Sequence, residues 1–526
     1  MITPYERALG SLSRRAFLNV LWKLGAGAVL SAPASRAVLA QPLFRAYPFS
    51  LGVASGDPLP DGVVLWTRLA PEPLAGGGMP MAPVEVEWQV GSDEGLRHVV
   101  REGTAIARPE LAHSVHVEVD GLAPGRDYWY RFRVGRELSG IGRTRTAPAP
   151  GAALDRLRFA TCGCSNYESG HFTALRHLAD EHLDFVFHSG DYIYEYRADG
   201  GRYGKVREHL GDEIYSLIDY RNRYAQYKKD PDLIAAHAAA PFIVSLDDHE
   251  VSNNWAAATD ERNTPPEVFL LRRAAAFQAY YEHMPLRRRA FPSGSGLRLH
   301  RGFRFGDLVD LTALDTRQYR SPQACHHRTR RGCAELADAT RTMLGTDQER
   351  WLGARLDANA SRWKVIAQQV PVFGGGSRGA ASTNPHLLDQ WPGYPAARER
   401  LLGGIVERGL ENVVFLSGDV HMHWGAGVPR DLAEPDGLSV AVEFTNTSIS
   451  SGGDGHDVAP WWEAIRADCP HVGYHGARRG YVVCEVTRDV WQTDFMTVDR
   501  VETPGGALSC GGRVVVERGR AVTHAA

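Results

Sequence analysis

Phe185-Val186-Phe187-His188-Ser189-Gly190-Asp191-Tyr192-Ile193-Tyr194 is the stretch on which the fold turns. Three apolar residues suited to a short buried strand run straight into a glycine and a cluster of ionisable side chains. The same grammar recurs along the chain. Residues 157–161 lead into Cys162-Gly163-Cys164, and residues 242–246 into Asp247-Asp248-His249-Glu250, with Asn253 and Asn254 just beyond. Residues 413–416 lead into Ser417-Gly418-Asp419-Val420-His421-Met422-His423, and residues 364–367 form a further apolar strand. Residues 173–181 have helical spacing, so strands alternate with helices and the class is α/β. In such sheets the ligand site lies outside the carboxyl ends of the strands. One strand-end carboxylate is an ordinary cap or turn residue. Several that carry Asp, His, Tyr and Cys are different, because anions brought together repel unless cations sit among them.

Upstream the texture changes. Val84, Val86, Trp88 and Val90 alternate with Glu85, Glu87 and Gln89, and Val115, Val117 and Val119 repeat the period-two pattern of half-buried strands. Leu122-Ala123-Pro124-Gly125 followed by Tyr128 and Tyr130 resembles the tyrosine corner of fibronectin III-like sandwiches. Residues 42–148 therefore read as a small β-sandwich domain that packs or positions rather than reacts. An Ala-, Pro- and Gly-rich linker follows it, then a catalytic domain at 152–500 and a tail at 501–526.

The chain has 526 residues, 59 basic and 62 acidic, with 43% hydrophobic and 23% charged residues, which excludes a disordered, coiled-coil or collagen-like protein. Its length calls for more than one core. The near-neutral balance gives no basic face for a nucleic-acid partner. Ser13-Arg14-Arg15-Ala16-Phe17-Leu18, an apolar stretch at 24–34 and Val38-Leu39-Ala40 read as a twin-arginine signal peptide over residues 1–40. Lys23 interrupts the apolar run well short of the ~20 residues that a stable membrane span needs. The expected route is the twin-arginine translocation machinery, which exports folded proteins, to the periplasm or the extracellular space. The remaining chain holds 54 basic and 61 acidic residues, a net charge of -7. Seven cysteines in an oxidising compartment allow at most three disulfides. Cys325 and Cys333, eight apart in a polar loop, can close a small ring. Cys469 and Cys510 are further loop-like candidates, and metal ligation is one reason for a leftover thiol to survive export.

Gly190-Asp191-x-x-Tyr194 and Gly418-Asp419-x-His421 have the form of metallophosphoesterase ligand motifs. Asp248 stands where that class usually has Asn, and Asp419 where it usually has His. These exchanges harden one metal position toward calcium, whereas thiolate and phenolate donors from Cys164 and Tyr194 suit a trivalent ion such as Fe3+. From about Phe49 to Asp494 the chain resembles the PhoD family of alkaline phosphatases and phosphodiesterases. The blocks that carry the resemblance are Val53-Ala54-Ser55-Gly56-Asp57-Pro58 and residues 190–196, 247–255, 280–285, 314–320, 363–371, 418–421 and 448–455. The resemblance implies a four-layer αββα metallophosphoesterase core, preceded by the sandwich and holding an iron–calcium (Fe3+, Ca2+) cluster. Cys164-Ser165-Asn166-Tyr167-Glu168 matches the family's Cys-x-x-Tyr-Glu run, so Cys164 is the implied thiolate. Asp191 is the implied bridging carboxylate, Tyr194 and His421 complete the iron, and Asp248 and Asp419 face calcium. Cys162 competes with Cys164, either Asn253 or Asn254 approaches the calcium, and the role of His423 is open.

The implied reaction is hydrolysis of a phosphate ester by in-line attack of a metal-bound oxide or hydroxide. His249 is the candidate for protonating or orienting the leaving group, with ligand positioning as its alternative. Arg221, Arg223 and Arg317 are candidates for the substrate phosphate, with ordinary salt bridges as theirs. Three activities fit: a phosphomonoesterase with phosphodiesterase activity, a phospholipase D-like diesterase on phospholipids or wall polymers, or a catalytically silent secreted binding protein.

Overall fold

The computed structural model describes residues 44–198, 206–327, 333–358, 360–374 and 388–525. The twin-arginine segment at 1–40 lies outside the described residues. Two large sheets face each other. In the first, Arg156–Cys162, Phe185–His188 and Phe242–Val244 run parallel, with Phe185 opposite Phe159 and Val186 opposite Phe242. Gly480–Thr487, Val490–Val498 and Leu508–Glu517 extend it on one side with antiparallel pairings. In the second sheet Val309–Ala313, Trp363–Ala367, Val413–Ser417 and Ser439–Thr445 run parallel.

Phe159, Phe185, Phe187 and Ile243 of the first sheet meet Leu311, Val365, Val414 and Leu416 of the second in one core. The Phe185 ring stacks on Phe159 beside it in the first sheet and on Phe305 of the second, both with centroids 4.6 Å apart, and the latter contact ties the two layers together. Burying a side chain of this size contributes roughly 1.5–3 kcal/mol. The outer face of the first sheet is covered by Leu217–Lys228, Pro231–Ala239 and Pro266–His283, and that of the second by Gly345–Asp357 and Pro395–Glu407. The helix starts follow from their sequences: Ser216 and Asp219 cap one another, and Asp230 caps a helix with proline in its first turn. This is the expected αββα order.

The N-terminal sandwich packs Val84–Gly91, Val99–Ala107 and Asp127–Val134 on Val53–Leu59, Gly62–Arg68 and Ser114–Val119. Its tyrosine corner is formed: the Tyr128 hydroxyl accepts the Ala123 N–H at 2.9 Å. The sandwich is not set apart from the core, however. Val53–Leu59 pairs parallel with Phe242–Val244 at Gly56, so three sandwich strands complete a ten-stranded sheet. A Cβ at Gly56 would lie 2.6 Å from the carbonyl oxygens of Phe242 and Pro285, so only glycine permits this junction. Asp57 beside it pairs with Arg301 at 2.8 Å. The Ser55-Gly56-Asp57 block is thus a weld between the two parts.

Two sequence expectations need correction. The segment expected as a tail supplies Leu508–Glu517, whose Val514 and Val516 are buried in the inter-sheet core. Cys325 and Cys333 are joined as expected, but Cys469 and Cys510 are not: Cys469 is buried, and Cys510 lies exposed on a strand rather than in a loop. Among the described residues no helix is long and apolar enough to cross a membrane.

Candidate metal centre

The parallel strands of both sheets end side by side, and their loops are strapped together by backbone. The Cys164 N–H donates to the Gly190 carbonyl at 3.0 Å, Ser165 N–H to Asp191 at 2.9 Å and Ser245 N–H to His188 at 2.9 Å. Gly190 has φ 122°, and a Cβ there would fall 2.4 Å from the Asp247 backbone nitrogen, so glycine lets the second and third loops touch. Cys164, Asp191, Asp419 and His421 all adopt left-handed backbone, at φ 58°, 54°, 68° and 56°. Each such non-glycine residue costs roughly 1–3 kcal/mol, a cost typical of side chains aimed at a functional site.

What these loops aim is a row of donors. Atoms of Cys164, Asp191 and His421 lie within 4.8 Å of one another, as do those of Asp191, Asp248 and His249, and those of Asp247, Asp248 and Asp419. Asp191 belongs to the first two groups and Asp248 to the last two. The Tyr194 hydroxyl is 3.0 Å from Asp191 Oδ2 and 3.2 Å from His421 Nε2. Sulfur, phenol and imidazole therefore gather at one end and carboxylates at the other.

Electrostatics tests whether cations fit this row. Burial, with the Asp248 carboxylate beside it, pushes Asp191 well above the usual carboxylate range. Burial and Asp247 do the same to Asp419, and burial raises Asp247 to about 7 against the pull of Arg317. The Cys164 thiol and Tyr194 phenol are driven up by burial and then by Asp191. Asp248 goes the other way: although burial opposes its ionisation, His249 and Arg317 hold it below the usual range. So many buried acids are ionised together only with positive charge between them, and the residues fit a metal cluster.

The expected ligands Cys164, Asp191, Tyr194, Asp248, Asp419 and His421 are all in this row, with His249 at its middle. Cys162 belongs to the apolar core behind the sheet. His423 is buried, its ring nitrogens occupied by the Thr447 N–H at 3.2 Å and the Met496 carbonyl at 3.3 Å. The arginines differ from expectation. Arg221 pairs with the buried Glu282 at 2.5 Å and touches no member of the row. Arg223 is buried and donates to the carbonyl oxygens of Tyr194 and Tyr196, holding the loop rather than facing a substrate. Arg317 is at the row, but its guanidinium is spent on Asp247 at 2.5 Å, Asp389 at 2.6 Å, Asp419 at 3.1 Å and Asp248 at 3.9 Å. The Asn254 N–H donates to Asp248 Oδ2 at 2.7 Å, whereas that of Asn253 goes to Glu195.

Sequence reasoning missed several supports. The Ser451 hydroxyl bridges the Tyr194 hydroxyl at 2.7 Å and the Cys164 carbonyl at 2.8 Å. Arg479 donates to the carbonyls of His421 and Ser451. Glu250 receives the N–H groups of Tyr192 and Asp247, pinning the second loop to the third. Glu195 holds His249.

A family model described as PhoD-like phosphatase matches residues 159–495, and one described as its N-terminal domain matches residues 33–148. Alkaline phosphatase D of Bacillus subtilis (strain 168) is 48% identical over 483 residues, which cover 91% of this chain and 83% of that protein. The solved structure of PhoD superposes with a TM-score of 0.89 at 47% identity, over 92% of this chain and 93% of that one. Three of the blocks that carried the sequence resemblance, residues 190–196, 247–255 and 418–421, supply the row together with Cys164, and the chain belongs to the PhoD-like phosphatase family.

Proposed function

We propose that this protein is an exported, metal-dependent phosphatase with phosphodiesterase activity. Membership of its family makes it a phosphoric ester hydrolase. The observation that carries the metal reading is the two-ended donor row centred on Asp191. Cys164, Tyr194 and His421, with Asp191, would hold Fe3+. Asp248 and Asp419, with Asn254 beside Asp248, would hold Ca2+. Bound cations supply Lewis acidity, neutralising phosphoryl oxygens and lowering the pKa of water.

The chain's own groups do the rest. Arg317 holds Asp247, Asp248 and Asp419 in place without a substrate contact of its own. The loops fixed by Glu250 and Arg479 keep the donors in position before the ester arrives, which is where electrostatic preorganisation gains most. His249, between the two ends of the row, is the donor for the departing oxygen. Export by the twin-arginine route rests on Ser13-Arg14-Arg15-Ala16-Phe17-Leu18.

The test is elemental analysis and kinetics on protein exported by its own route. Iron and calcium are expected, with hydrolysis of both nitrophenyl phosphate and bis-nitrophenyl phosphate and reversible loss of activity to a calcium chelator. A colourless, active enzyme holding only zinc would overturn the metal assignment. Protein without metal or activity would return the silent binding reading. Arg14→Lys with Arg15→Lys is expected to retain the chain in the cytoplasm.

A further inference from the structure

Glu195 lies one residue beyond Tyr194, and its side chain is 1% exposed. A carboxylate is buried so completely only when its oxygens are satisfied. Here both are engaged: Oε2 sits 2.7 Å from His249 Nδ1, and Oε1 accepts the Asn253 N–H at 2.7 Å. The His249 ring is constrained on two further sides. It stacks on Tyr194 with centroids 4.1 Å apart, and Tyr196 meets it nearly edge-on at 5.2 Å. A carboxylate acceptor at Nδ1 places a proton there and fixes which nitrogen is left for the site. That nitrogen is Nε2, which has no hydrogen-bond partner among the described residues, on a side chain that keeps 9% of its surface accessible. The imidazole stands against Asp191 and Asp248, with a ring nitrogen within 4.8 Å of their oxygens.

We propose that Glu195 is a positioning residue for the hydrolysis, acting through His249: it locks the ring so that Nε2–H faces the leaving oxygen of the bound ester. The inference rests on the phosphoester reading above. The ring acts in its doubly protonated form: as the bond from phosphorus to the leaving oxygen breaks and the bond to the attacking water oxygen forms, the Nε2 proton passes to the leaving oxygen, an alcohol departs, and the neutral ring with its Nδ1–H on Glu195 remains. The imidazole recovers a proton from the water consumed. Glu195 stays ionised and keeps the Nδ1–H throughout.

Such assistance matters in proportion to the basicity of the leaving group. A nitrophenolate departs with little help, whereas an alkoxide needs the proton, and a positioned acid contributes about 10²–10⁴-fold. Glu195→Gln keeps the size and an oxygen that can accept Nδ1–H, but removes the charge that holds the ring. On metal-loaded enzyme the expected result is an unchanged metal content, a fall in kcat of about 100-fold on a dialkyl phosphate and a fall of only about 10-fold on bis-nitrophenyl phosphate. In a His249→Ala background the same substitution should have no further effect on either substrate, because coupled residues are non-additive. Glu195→Asp keeps the charge but withdraws it by one methylene, and should show the same leaving-group bias in weaker form. It carries the test if Glu195→Gln does not fold.

Equal losses on the two substrates would overturn the proposal. So would loss of metal from Glu195→Gln, which would make His249 a ligand oriented by Glu195. An undiminished effect in the His249→Ala background would assign Glu195 to the Asn253 loop instead. Wild-type enzyme inactive on both esters would refute the phosphoester reading itself, a separate outcome.

Discussion

Replacing Lys228 by methionine should stabilise the protein at neutral pH, and the gain should vanish in alkali. Lys228 ends the helix Leu217–Lys228 with its side chain in the interior, its ammonium 4.1 Å above the Trp66 ring of the sandwich and 5.4 Å from Tyr192 of the metal loop. Burial lowers its pKa from 10.5 to about 7. The neighbouring imidazoles of His188 and His237 are themselves kept neutral, by burial first and then by the Lys228 charge, so neither adds a compensating titration at neutral pH.

The sign follows from proton counting. Between pH 7 and 10.5 the unfolded chain carries a proton on this amine that the folded chain has lost, so stability rises with pH through that window. Below the folded value the penalty is complete. A gap of about 3.5 between the two values corresponds to about 5 kcal/mol at ~1.36 kcal/mol per pH unit. The cation over Trp66 returns about 2 kcal/mol of this, which narrows the window from its lower end and leaves about 3 kcal/mol. Urea titrations of wild type and Lys228→Met at several pH values measure the difference directly. It should be about 3 kcal/mol in favour of methionine near pH 6 and close to zero above the unfolded value of 10.5. A methionine variant less stable at pH 7, or a difference that does not change with pH, would refute the reasoning.

Cys164→Ser should lose the visible absorption of the iron site and most activity, whereas Cys162→Ser, which changes a residue of the apolar core, should retain both; absorption spectra of the two variants decide. Asp248→Asn should weaken calcium binding, read by calorimetry, while the colour persists, and a bleached protein would show that the ligands were divided wrongly between the two ends. Acid should release calcium because Asp191 and Asp419, raised by burial, regain protons first, and added calcium should restore activity better than magnesium, whose octahedral shell suits such a site poorly. Peptide mapping of exported protein should find Cys325 joined to Cys333, and opening that ring should cost about 2–3 kcal/mol.

Where the sequence was legible, chemistry and local structure coincided. Short apolar strands ending in Cys-Gly-Cys, Gly-Asp or Asp-Asp-His announce themselves within ten residues, and these strand ends hold every expected ligand. The sandwich was legible for the same reason, since period-two alternation is local. The supports were not. Ser451 reaches Cys164 across 287 positions and Arg479 reaches His421 across 58, and neither residue type in its own neighbourhood differs from an ordinary loop serine or arginine. Arg221, Arg223 and Arg317 misled for a related reason. An arginine's role depends on which non-local oxygens surround its guanidinium, and here Glu282, two carbonyls and a ring of aspartates claim all three. The strand at Leu508–Glu517 escaped notice because its apolar run is only the three valines at 514–516 behind a glycine-rich stretch, and only the edge offered by Val490–Val498 turns Val514 and Val516 into core.

The site as a whole opposes folding, and that would give the proposed metals and the proposed export route a common logic. Left-handed backbone at Cys164, Asp191, Asp419 and His421 costs about 1–3 kcal/mol at each residue, and the buried acids add mutual repulsion. A native stability of about 5–15 kcal/mol absorbs little of this. Cations bound by ionised ligands convert the repulsion to attraction, so their binding free energy is also folding free energy. The two halves of the donor row come from different sheets, Cys164, Asp191 and Asp248 from the first, Asp419 and His421 from the second. The row is complete only after the sheets have closed on Phe159, Phe185 and Phe187. A chain threaded unfolded through a membrane would have to assemble that row, and find its iron, on the far side. A chain that folds and loads first must travel folded, as the paired arginines at 14 and 15 propose.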